Sequence, residues 1–281
     1  MSEIVGIYGT THNPLLWRVM GDGSAPPDDL VATRDAFASL AGRMEEARPD
    51  TIVVIATDHL TQWFYDNMPS FLVGKTSAVP ATFWNEEREF GLPYRTLGGD
   101  GELARDILGG GIERGVDFSA SDDFRADHSV LVPLLYLNPG LDIPVVCVFT
   151  NCMAAPLPPA ERFFQVGQAI RKSIEDSPLN RRVAVVASGH LATEVGGPRH
   201  FNGSPDHEFD EAAVGWMRDG EVDKAIGTLT YDRLRAAGNV SHQFLNFMVT
   251  MGIADGAPAI SAEGVKSRFA TSPFFEWPTD S

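Results

Sequence analysis

Five histidines in this chain follow or border apolar runs, and their side chains are the first candidates for chemistry. They are His12, His59, His128, His190 and His242. Because the C-terminal ends of neighbouring strands meet at one edge of an open α/β sheet, histidines that follow different strands can converge in space. Imidazole is the commonest metal ligand among side chains and carries protons near neutral pH. The pattern therefore predicts a metal-dependent or acid–base active site.

The composition restricts the class of protein. The 281 residues carry a net charge of −16, and 43% of them are apolar, which is enough for a buried core. Because the acidic residues are spread along the chain, we expect a soluble protein that binds neither nucleic acid nor an anionic membrane surface. The two cysteines, Cys147 and Cys152, indicate a reducing compartment, and no signal peptide or membrane-spanning run is visible. We therefore expect a cytoplasmic protein.

Apolar runs and amphipathic stretches alternate along the chain. This order predicts one α/β domain over residues 1–281, with a central sheet covered by helices. Strands are predicted at 4–8, 51–57, 68–73, 116–119, 143–149 and 182–188, and helices at 28–48, 100–114, 159–176, 208–218, 221–227, 231–236 and 241–252. The strand at 68–73 has the character of an edge strand. Residues 130–136 fit either a helix that contains Pro133 or a short buried segment.

Two segments lack clear periodicity. Residues 75–98 contain two prolines and several aromatic side chains, and we expect an irregular loop or lid there. Phe83, Trp84 and Phe90 in this segment are candidates for the wall of a pocket for an aromatic ring. The C-terminal tail, 256–281, is rich in aromatic residues, and we expect it to dock on the domain surface or on another subunit.

Two histidines from different strand ends can bind one metal ion together with a carboxylate. Such a facial triad suits non-haem Fe(II) and leaves positions open for substrate and dioxygen. His12 and His59 fit the two histidine positions because each comes at the end of a predicted strand. Asp58 is a candidate to hydrogen-bond a liganding imidazole from behind. A single histidine more often packs or lies at the surface, but two at matching strand ends favour a metal site.

Five motifs, in order along the chain, are shared with one enzyme family. They are Gly-Thr-Thr-His-Asn-Pro at 9–14, Asp-His at 58–59, Asn-Met-Pro-Ser-Phe-Leu-Val-Gly at 67–74, Asp-His-Ser-Val-Leu-Val-Pro-Leu at 127–134 and Gly-Gln-Ala-Ile-Arg-Lys at 167–172. Each motif alone is weakly specific, but the ordered set runs from about residue 4 to residue 255. The chain resembles the class III extradiol ring-cleaving dioxygenases, in particular the catalytic beta subunit of protocatechuate 4,5-dioxygenase.

The resemblance implies an α/β fold and an Fe(II) ion held by two histidines and a glutamate. It implies cleavage of a catechol-type ring, protocatechuate- or gallate-like, beside one hydroxyl with dioxygen. By motif match, His12 and His59 are the histidine ligands, and His128 contacts substrate or bound oxygen. The family also implies a homo-oligomer or a complex with a small alpha-type subunit.

The first departure from the family concerns the third metal ligand. The family's glutamate lies on a late helix, and the matching residue in the segment 237–245 is Gln243. A glutamine can bind a metal through its neutral oxygen, but more weakly than a carboxylate. The resulting site carries one more positive charge, which weakens metal retention or favours a more anionic substrate.

The second departure concerns proton transfer. Where the family has a histidine after a strand, this chain has Thr193, which cannot act as a base near neutral pH. His190 lies three residues earlier, and His190 or Glu194 is expected to take over the role if it reaches the proton. Thr193, Glu194 and His242 are predicted to contact the substrate. Arg199 is a further candidate to bind a substrate carboxylate.

Three functions stay open at this level. The first, which we predict, is an Fe(II) extradiol dioxygenase, which His12, His59 and His128 favour and which Gln243 and Thr193 oppose. The second is a divergent family member with an altered metal site that performs non-oxidative chemistry on an aromatic-derived acid. The third is a non-catalytic subunit of a dioxygenase.

Overall fold

The computed structural model describes residues 1–21, 23–200 and 203–279. In chain order the strands are β1 Glu3–Thr11, β2 Thr51–Ala56, β3 Phe71–Gly74, β4 Ala78–Ala81, β5 Arg95–Gly98, β6 Ser119–Ser121, β7 Val145–Thr150, β8 Arg182–Gly189, β9 Ser261–Lys266 and β10 Thr271–Trp277. The helices are α1 Pro14–Met20, α2 Val31–Ala47, α3 Trp84–Phe90, α4 Gly101–Glu113, α5 His128–Leu137, α6 Ala160–Asp176, α7 His207–Asp219, α8 Val222–Thr228, α9 Tyr231–Ala237 and α10 Leu245–Ile253.

Eight of these strands form one mixed sheet, in the order β6-β3-β7-β2-β8-β1-β10-β9. The four central strands β7, β2, β8 and β1 run parallel, whereas β3 and β10 pair antiparallel on either side of them. Strands β4 and β5 form a separate antiparallel pair. The parallel centre brings the C-terminal ends of β2, β8 and β1 to one edge of the sheet. This arrangement confirms the predicted α/β fold with a central sheet.

Helices cover both faces of the sheet. Along β2, Val53 and Ile55 face a core that includes residues of α4, α6 and α10, while Ile52 and Val54 face a core with residues of α2 and α5. All six residues of β2 are buried, as the near-continuous apolar run predicted. Each of its buried Ile and Val side chains stabilises the fold by about 1.5–3 kcal/mol relative to exposure to water.

Helices α6 and α10 approach each other closely because two glycines lie at their contact. A Cβ on Gly167 would lie 2.0 Å from the carbonyl oxygen of Val249, and a Cβ on Gly252 would lie 2.0 Å from that of Phe164. Any side chain at either position would push the helices apart. The close contact fixes α10, and with it the residues just before α10, against the sheet.

Several predicted elements need correction. Residues 75–98 are not irregular: β4, α3 and β5 occupy most of the segment. The strand predicted at 116–119 forms instead at Ser119–Ser121, and it covers β3, so β3 is not an edge strand. The tail 256–281 does not dock as an appendage, because β10 pairs with β1 inside the main sheet. The last two residues, 280–281, lie outside the described part of the chain.

Other predictions are confirmed with small shifts. Residues 130–136 belong to α5, which contains Pro133. The helix predicted at 241–252 begins with a 3₁₀ turn, Ser241–Phe244, before α10. Among the described residues, no helix is long and apolar enough to span a membrane.

Candidate active site

Three of the five histidines follow parallel strands and meet at the same edge of the sheet. His12 follows β1, His59 comes shortly after β2, and His190 follows β8, which lies between the other two strands. His128 joins them from the first residue of α5. The ring centroids of His12 lie 4.3 Å from His190 and 5.1 Å from His59, and those of His59 and His128 lie 4.1 Å apart. The four imidazoles therefore form one cluster, named here the imidazole cluster.

His12 is held in one tautomer by a chain of hydrogen bonds. Its Nδ1 lies 2.9 Å from the Ser188 hydroxyl, which donates its single proton to the carbonyl oxygen of Ser129 at 2.6 Å. The hydroxyl must therefore accept from His12, so that His12 carries its proton on Nδ1 and has a lone pair on Nε2. That Nε2 is buried and has no hydrogen-bond partner.

Pro133 explains why the Ser129 carbonyl can accept this bond. In a regular helix that carbonyl would accept from the backbone N–H of residue 133. Proline has no N–H, so the carbonyl is released from the helix pattern. The proline within α5 thus contributes to the orientation of His12, through Ser129 and Ser188.

His59 is held by a buried carboxylate. Asp127 Oδ2 accepts both the backbone N–H of His59, at 2.8 Å, and its Nδ1–H, at 2.9 Å. Burial raises the pKa of Asp127, but the neighbouring His59 and His128 outweigh burial and hold that pKa well below its ordinary value. With the proton fixed on Nδ1, the Nε2 lone pair of His59 points into the imidazole cluster. Asp58, the predicted partner, instead accepts hydrogen bonds from Thr61, Gln62 and Trp63 and closes the turn after His59.

Gln243 reaches the imidazole cluster from the 3₁₀ turn before α10. Its Nε2 lies 2.9 Å from His59 Nε2 and 3.4 Å from the sulfur of Met153, and its buried Oε1 has no hydrogen-bond partner. The turn comes this close because Gly189 ends β8: a Cβ there would lie 2.4 Å from the Gln243 carbonyl oxygen. The predicted third ligand is therefore beside the predicted second one.

His128 is held by Glu86, a residue that the sequence analysis missed. Glu86 Oε1 accepts the backbone N–H and the Nδ1–H of His128, both at 2.7 Å. Burial lowers the pKa of His128, but this hydrogen bond and the charge of Asp127 outweigh burial and raise it. The sequence offered one weak signal, because a glutamate in the first turn of a helix often accepts from the backbone at the start of that helix. No such helix was predicted within 75–98.

His190 differs from His59 and His128 because no carboxylate among the described residues holds its ring. It is buried against His12, and burial together with the neighbouring His59 and His128 lowers its pKa to about 3. Its imidazole is therefore neutral near pH 7. The expectation that His190 replaces the family's histidine stays a prediction.

The three residues predicted to contact the substrate make their described hydrogen bonds with other partners, and their contact with substrate stays a prediction. The Glu194 carboxylate pairs with the Arg199 guanidinium and accepts the Arg199 backbone N–H. This pairing lowers the pKa of Glu194 and occupies both residues. His242 Nε2 lies 3.2 Å from the carbonyl oxygen of Tyr231, and the His242 ring packs on the Tyr231 ring. Thr193 is buried and its N–H donates to the Ser241 hydroxyl. The described contacts of these side chains do not include the imidazole cluster.

The predicted aromatic wall is only partly present. Phe90 lies 6.2 Å from His128, measured between ring centroids. Trp84 is 64% exposed and packs under Arg88, and Phe83 lies near Arg125. Of these three rings, Phe90 is the one beside the imidazole cluster.

The donor atoms fit a divalent transition metal. Side-chain nitrogens of His12, His59 and His128 all lie within 4.8 Å of one another. His12 Nε2 and Gln243 Oε1 are buried polar atoms without partners, and His59 Nε2 carries a lone pair. Imidazole nitrogens with one oxygen suit iron, zinc, copper or nickel. The residues therefore form a histidine-rich candidate metal site.

Comparison with known proteins identifies the family. A model described as the catalytic LigB subunit of aromatic ring-opening dioxygenase matches residues 6–279. A protein of Photorhabdus laumondii, named 2,3-dihydroxyphenylpropionate/2,3-dihydroxicinnamic acid 1,2-dioxygenase, is 30% identical over 205 residues, which cover 73% of this chain and 61% of that protein. A similarly named Pseudomonas putida protein is 32% identical over 187 residues, covering 66% and 55%. The chain thus spans little more than half the length of these relatives.

A solved structure gives a further comparison. The uncharacterized protein JW3007 from Escherichia coli K12 superimposes with a TM-score of 0.61 over 98% of this chain and 100% of that one, at 17% identity. At this identity the likeness concerns the fold alone. Together with the family match, it agrees with the resemblance drawn from the ordered motifs. The chain belongs to the family of the catalytic LigB subunit of aromatic ring-opening dioxygenases.

Proposed function

We propose that this protein is an Fe(II)-dependent extradiol dioxygenase that opens a catechol-type ring beside one hydroxyl with dioxygen. The observation that carries the proposal is the convergence of His12 Nε2, His59 Nε2 and the Gln243 amide at one edge of the sheet, in a chain of this family. These three residues would hold the metal. A bound Fe(II) ion would supply a Lewis-acidic, redox-active centre that brings the ring oxygens and dioxygen together.

The other two members of the imidazole cluster have separate roles. His190, whose ring centroid lies 4.3 Å from that of His12, would accept a proton from a ring hydroxyl of a substrate bound beside His12. His128, whose Nδ1–H donates to Glu86, turns Nε2 toward the oxygen-bearing side of the substrate, where a second proton taken up on Nε2 would be donated to negative charge that develops there. Phe90 contributes apolar surface beside His128. Two differently held histidines thus provide a base and a hydrogen-bond donor.

The donor set favours an ionised catechol as substrate. His12, His59 and Gln243 are all neutral donors, so they cancel none of the metal's charge. An anionic ring oxygen supplies the missing negative charge when the substrate binds. The relatives are named for 2,3-dihydroxyphenylpropionate and 2,3-dihydroxicinnamic acid, and these acids, with protocatechuate, gallate and catechol, form the substrate panel.

The setting of the enzyme is also a proposal. We expect residues 1–281 to act as a single catalytic domain, in a homo-oligomer or together with a small alpha-type subunit. The thiols of Cys147 and Cys152 are free and buried, which agrees with a reducing, cytoplasmic location. Burial raises the pKa of both thiols, so that neither is a reactive thiolate.

Oxygen uptake tests the proposal directly. The protein is loaded anaerobically with Fe(II), mixed with each member of the panel, and followed by an oxygen electrode and by absorbance of the yellow ring-opened product. Stoichiometric uptake with a yellow product is the expected result, and metal-free protein is the control. Specific binding of an aromatic acid with no uptake would overturn the proposal. The neutral Gln243 would then favour the non-oxidative alternative.

A further inference from the structure

Two histidines in the imidazole cluster are held in the same unusual way. In each case a single carboxylate oxygen accepts both the backbone N–H and the Nδ1–H of one histidine: Asp127 Oδ2 for His59, and Glu86 Oε1 for His128. Two bonds to one oxygen fix the backbone, the ring rotation and the tautomer together. We refer to each arrangement as a carboxylate clamp.

The Glu86 clamp joins two distant parts of the chain. Glu86 lies on α3, 42 residues before His128, which is the first residue of α5. Two backbone bonds fix the segment that carries Glu86 beside α5: Thr82 N–H to the Ala126 carbonyl at 2.9 Å, and Ala126 N–H to the Pro80 carbonyl at 2.8 Å. The position of Glu86 relative to His128 is therefore built into the backbone.

A purely structural role would leave one oxygen of Glu86 unexplained. Its Oε2 accepts the Phe83 N–H at 2.9 Å, which caps α3 from within the helix. That bond alone would satisfy a capping glutamate. Its Oε1 is used only on His128, and the residue is 2% exposed. Burying a carboxylate this deeply is costly unless its hydrogen bonds are made. The bonds from His128 to Oε1 therefore offset part of the cost of burying Glu86.

We propose that Glu86 is the positioning residue for His128: it fixes the proton on Nδ1 and turns Nε2 toward the space beside His59. The consequence for turnover rests on the proposed dioxygenase function, whereas the effect on the ring of His128 does not. The pair acts as a carboxylate–histidine unit in which the carboxylate sets the tautomer and orientation of the imidazole. Residues 78–98 thus supply a part of the active site rather than only a cover for it.

Glu86→Gln tests the proposal with little change in shape. The amide keeps the size of the side chain but loses the charge and one accepting oxygen, so the two bonds to His128 cannot both persist at full strength. We expect kcat to fall about 10–100-fold, as for other residues that orient an active-site histidine. We expect KM to change by less than about threefold, because Glu86 does not touch the substrate.

The ring of His128 gives a readout that does not depend on activity. In ¹⁵N NMR spectra recorded at a pH at which the ring is neutral, His128 of the wild type should show the Nδ1–H tautomer, and Glu86→Gln should shift it toward a mixture of tautomers. Glu87→Gln, the same change on the next residue of α3, is the matched control and should leave both kcat and the His128 signals unchanged. Glu86→Asp, which is too short to reach both Phe83 and His128, should resemble Glu86→Gln.

Two results would overturn the proposal. One is an unchanged His128 tautomer in folded Glu86→Gln, and the other is a loss of activity that Glu87→Gln shares. If the wild type cleaves no ring at all, the NMR comparison still decides the role of Glu86. Failure of the proposed function and failure of this inference are therefore distinguishable.

Discussion

The two ends of the central parallel strands carry polar residues in very different states. At the C-terminal edge, lone pairs of His12, His59 and Gln243 point inward, and two of these buried atoms have no hydrogen-bond partner. At the N-terminal edge, the Asp100 carboxylate accepts from the Thr51 hydroxyl at 2.7 Å and from Arg181 at 3.1 Å. A cavity of about 720 Å³ opens at this second edge.

The difference indicates that the convergence of metal-binding side-chain atoms without partners, rather than cavity size, marks the candidate active site. Several charged groups around the N-terminal cavity bind one another: Lys75 pairs with Asp122, and Arg181 with Asp100. Such pairs stabilise the fold locally. At the C-terminal edge, His12 and Gln243 each bond to the protein through one side-chain atom, while the other, His12 Nε2 or Gln243 Oε1, is buried without a partner. The same strands thus have ion pairs at their N-terminal edge and the candidate metal site at their C-terminal edge.

The largest expected effect comes from removing a proposed nitrogen ligand at the C-terminal edge. His59→Ala should lower Fe(II) content and oxygen uptake by more than about 100-fold, because loss of an outer partner alone costs roughly 10–100-fold. Arg181→Gln, at the opposite end of β8, should leave Fe(II) content and oxygen uptake within about twofold of the wild type, because surface substitutions usually have small effects. Metal analysis after reconstitution and an oxygen electrode measure the two quantities. A similar loss in both variants would erase the contrast between the edges.

Gln243→Glu sharpens the contrast from the other direction. The new carboxylate adds a negative charge beside His12 and His59, so we expect Fe(II) affinity to rise at least about tenfold, or about 1.4 kcal/mol. Titration of the metal-free protein with Fe(II) under anaerobic conditions measures the change. Gln243→Ala, which removes the oxygen donor, should weaken binding instead. Equal affinities in all three proteins would mean that residue 243 does not contact the metal.

Sequence patterns predicted the parts of the site that depend on strand ends. His12, His59 and His190 meet because the strands before them are parallel and adjacent, and an apolar run is enough to place such a strand. Gln243 was found only through the resemblance, because the contact that brings it to His59 depends on Gly189 and on a 3₁₀ turn.

The remaining errors have a common physical cause. Apolar periodicity reports which face of an element is buried, but it does not report which polar groups will pair. Glu86 bonds to His128, which is 42 residues away in sequence. Glu194 forms an ion pair with Arg199, five residues later in the same loop. The aromatic tail looked like a docking segment because its pairing partner, β1, lies at the other end of the chain.

A third prediction concerns Pro133. In Pro133→Ala, the new backbone N–H competes with the Ser188 hydroxyl for the Ser129 carbonyl, so the hold on His12 should loosen. We expect kcat to fall roughly threefold, less than the 10–100-fold of a direct outer partner. Ser188→Ala should lower kcat as well, and the double variant should be no worse than Ser188→Ala alone, because both act through one path. Additive losses would show that Pro133 acts by another route.

The smallest effect belongs to the N-terminal edge and concerns stability alone. Burial raises the pKa of Asp100, but the Leu103 N–H, the Thr51 hydroxyl and the Arg181 guanidinium outweigh burial and hold the pKa below its ordinary value. A carboxyl group whose pKa is lower in the folded state stabilises that state above its unfolded pKa, about 3.9, and this stabilisation is lost as the pH falls through the folded value.

Asp100→Asn keeps an oxygen to accept the Leu103 N–H but loses the charge. We expect it to lower the free energy of unfolding by about 1 kcal/mol at pH 7, since Arg181 is partly exposed and water weakens its contribution. Urea unfolding from pH 3 to pH 7 should show this difference shrinking toward acid. A difference in the free energy of unfolding that stays constant with pH would mean that Asp100 acts through its shape and not its charge. Oxygen uptake at pH 7 should be the same in the wild type and in Asp100→Asn.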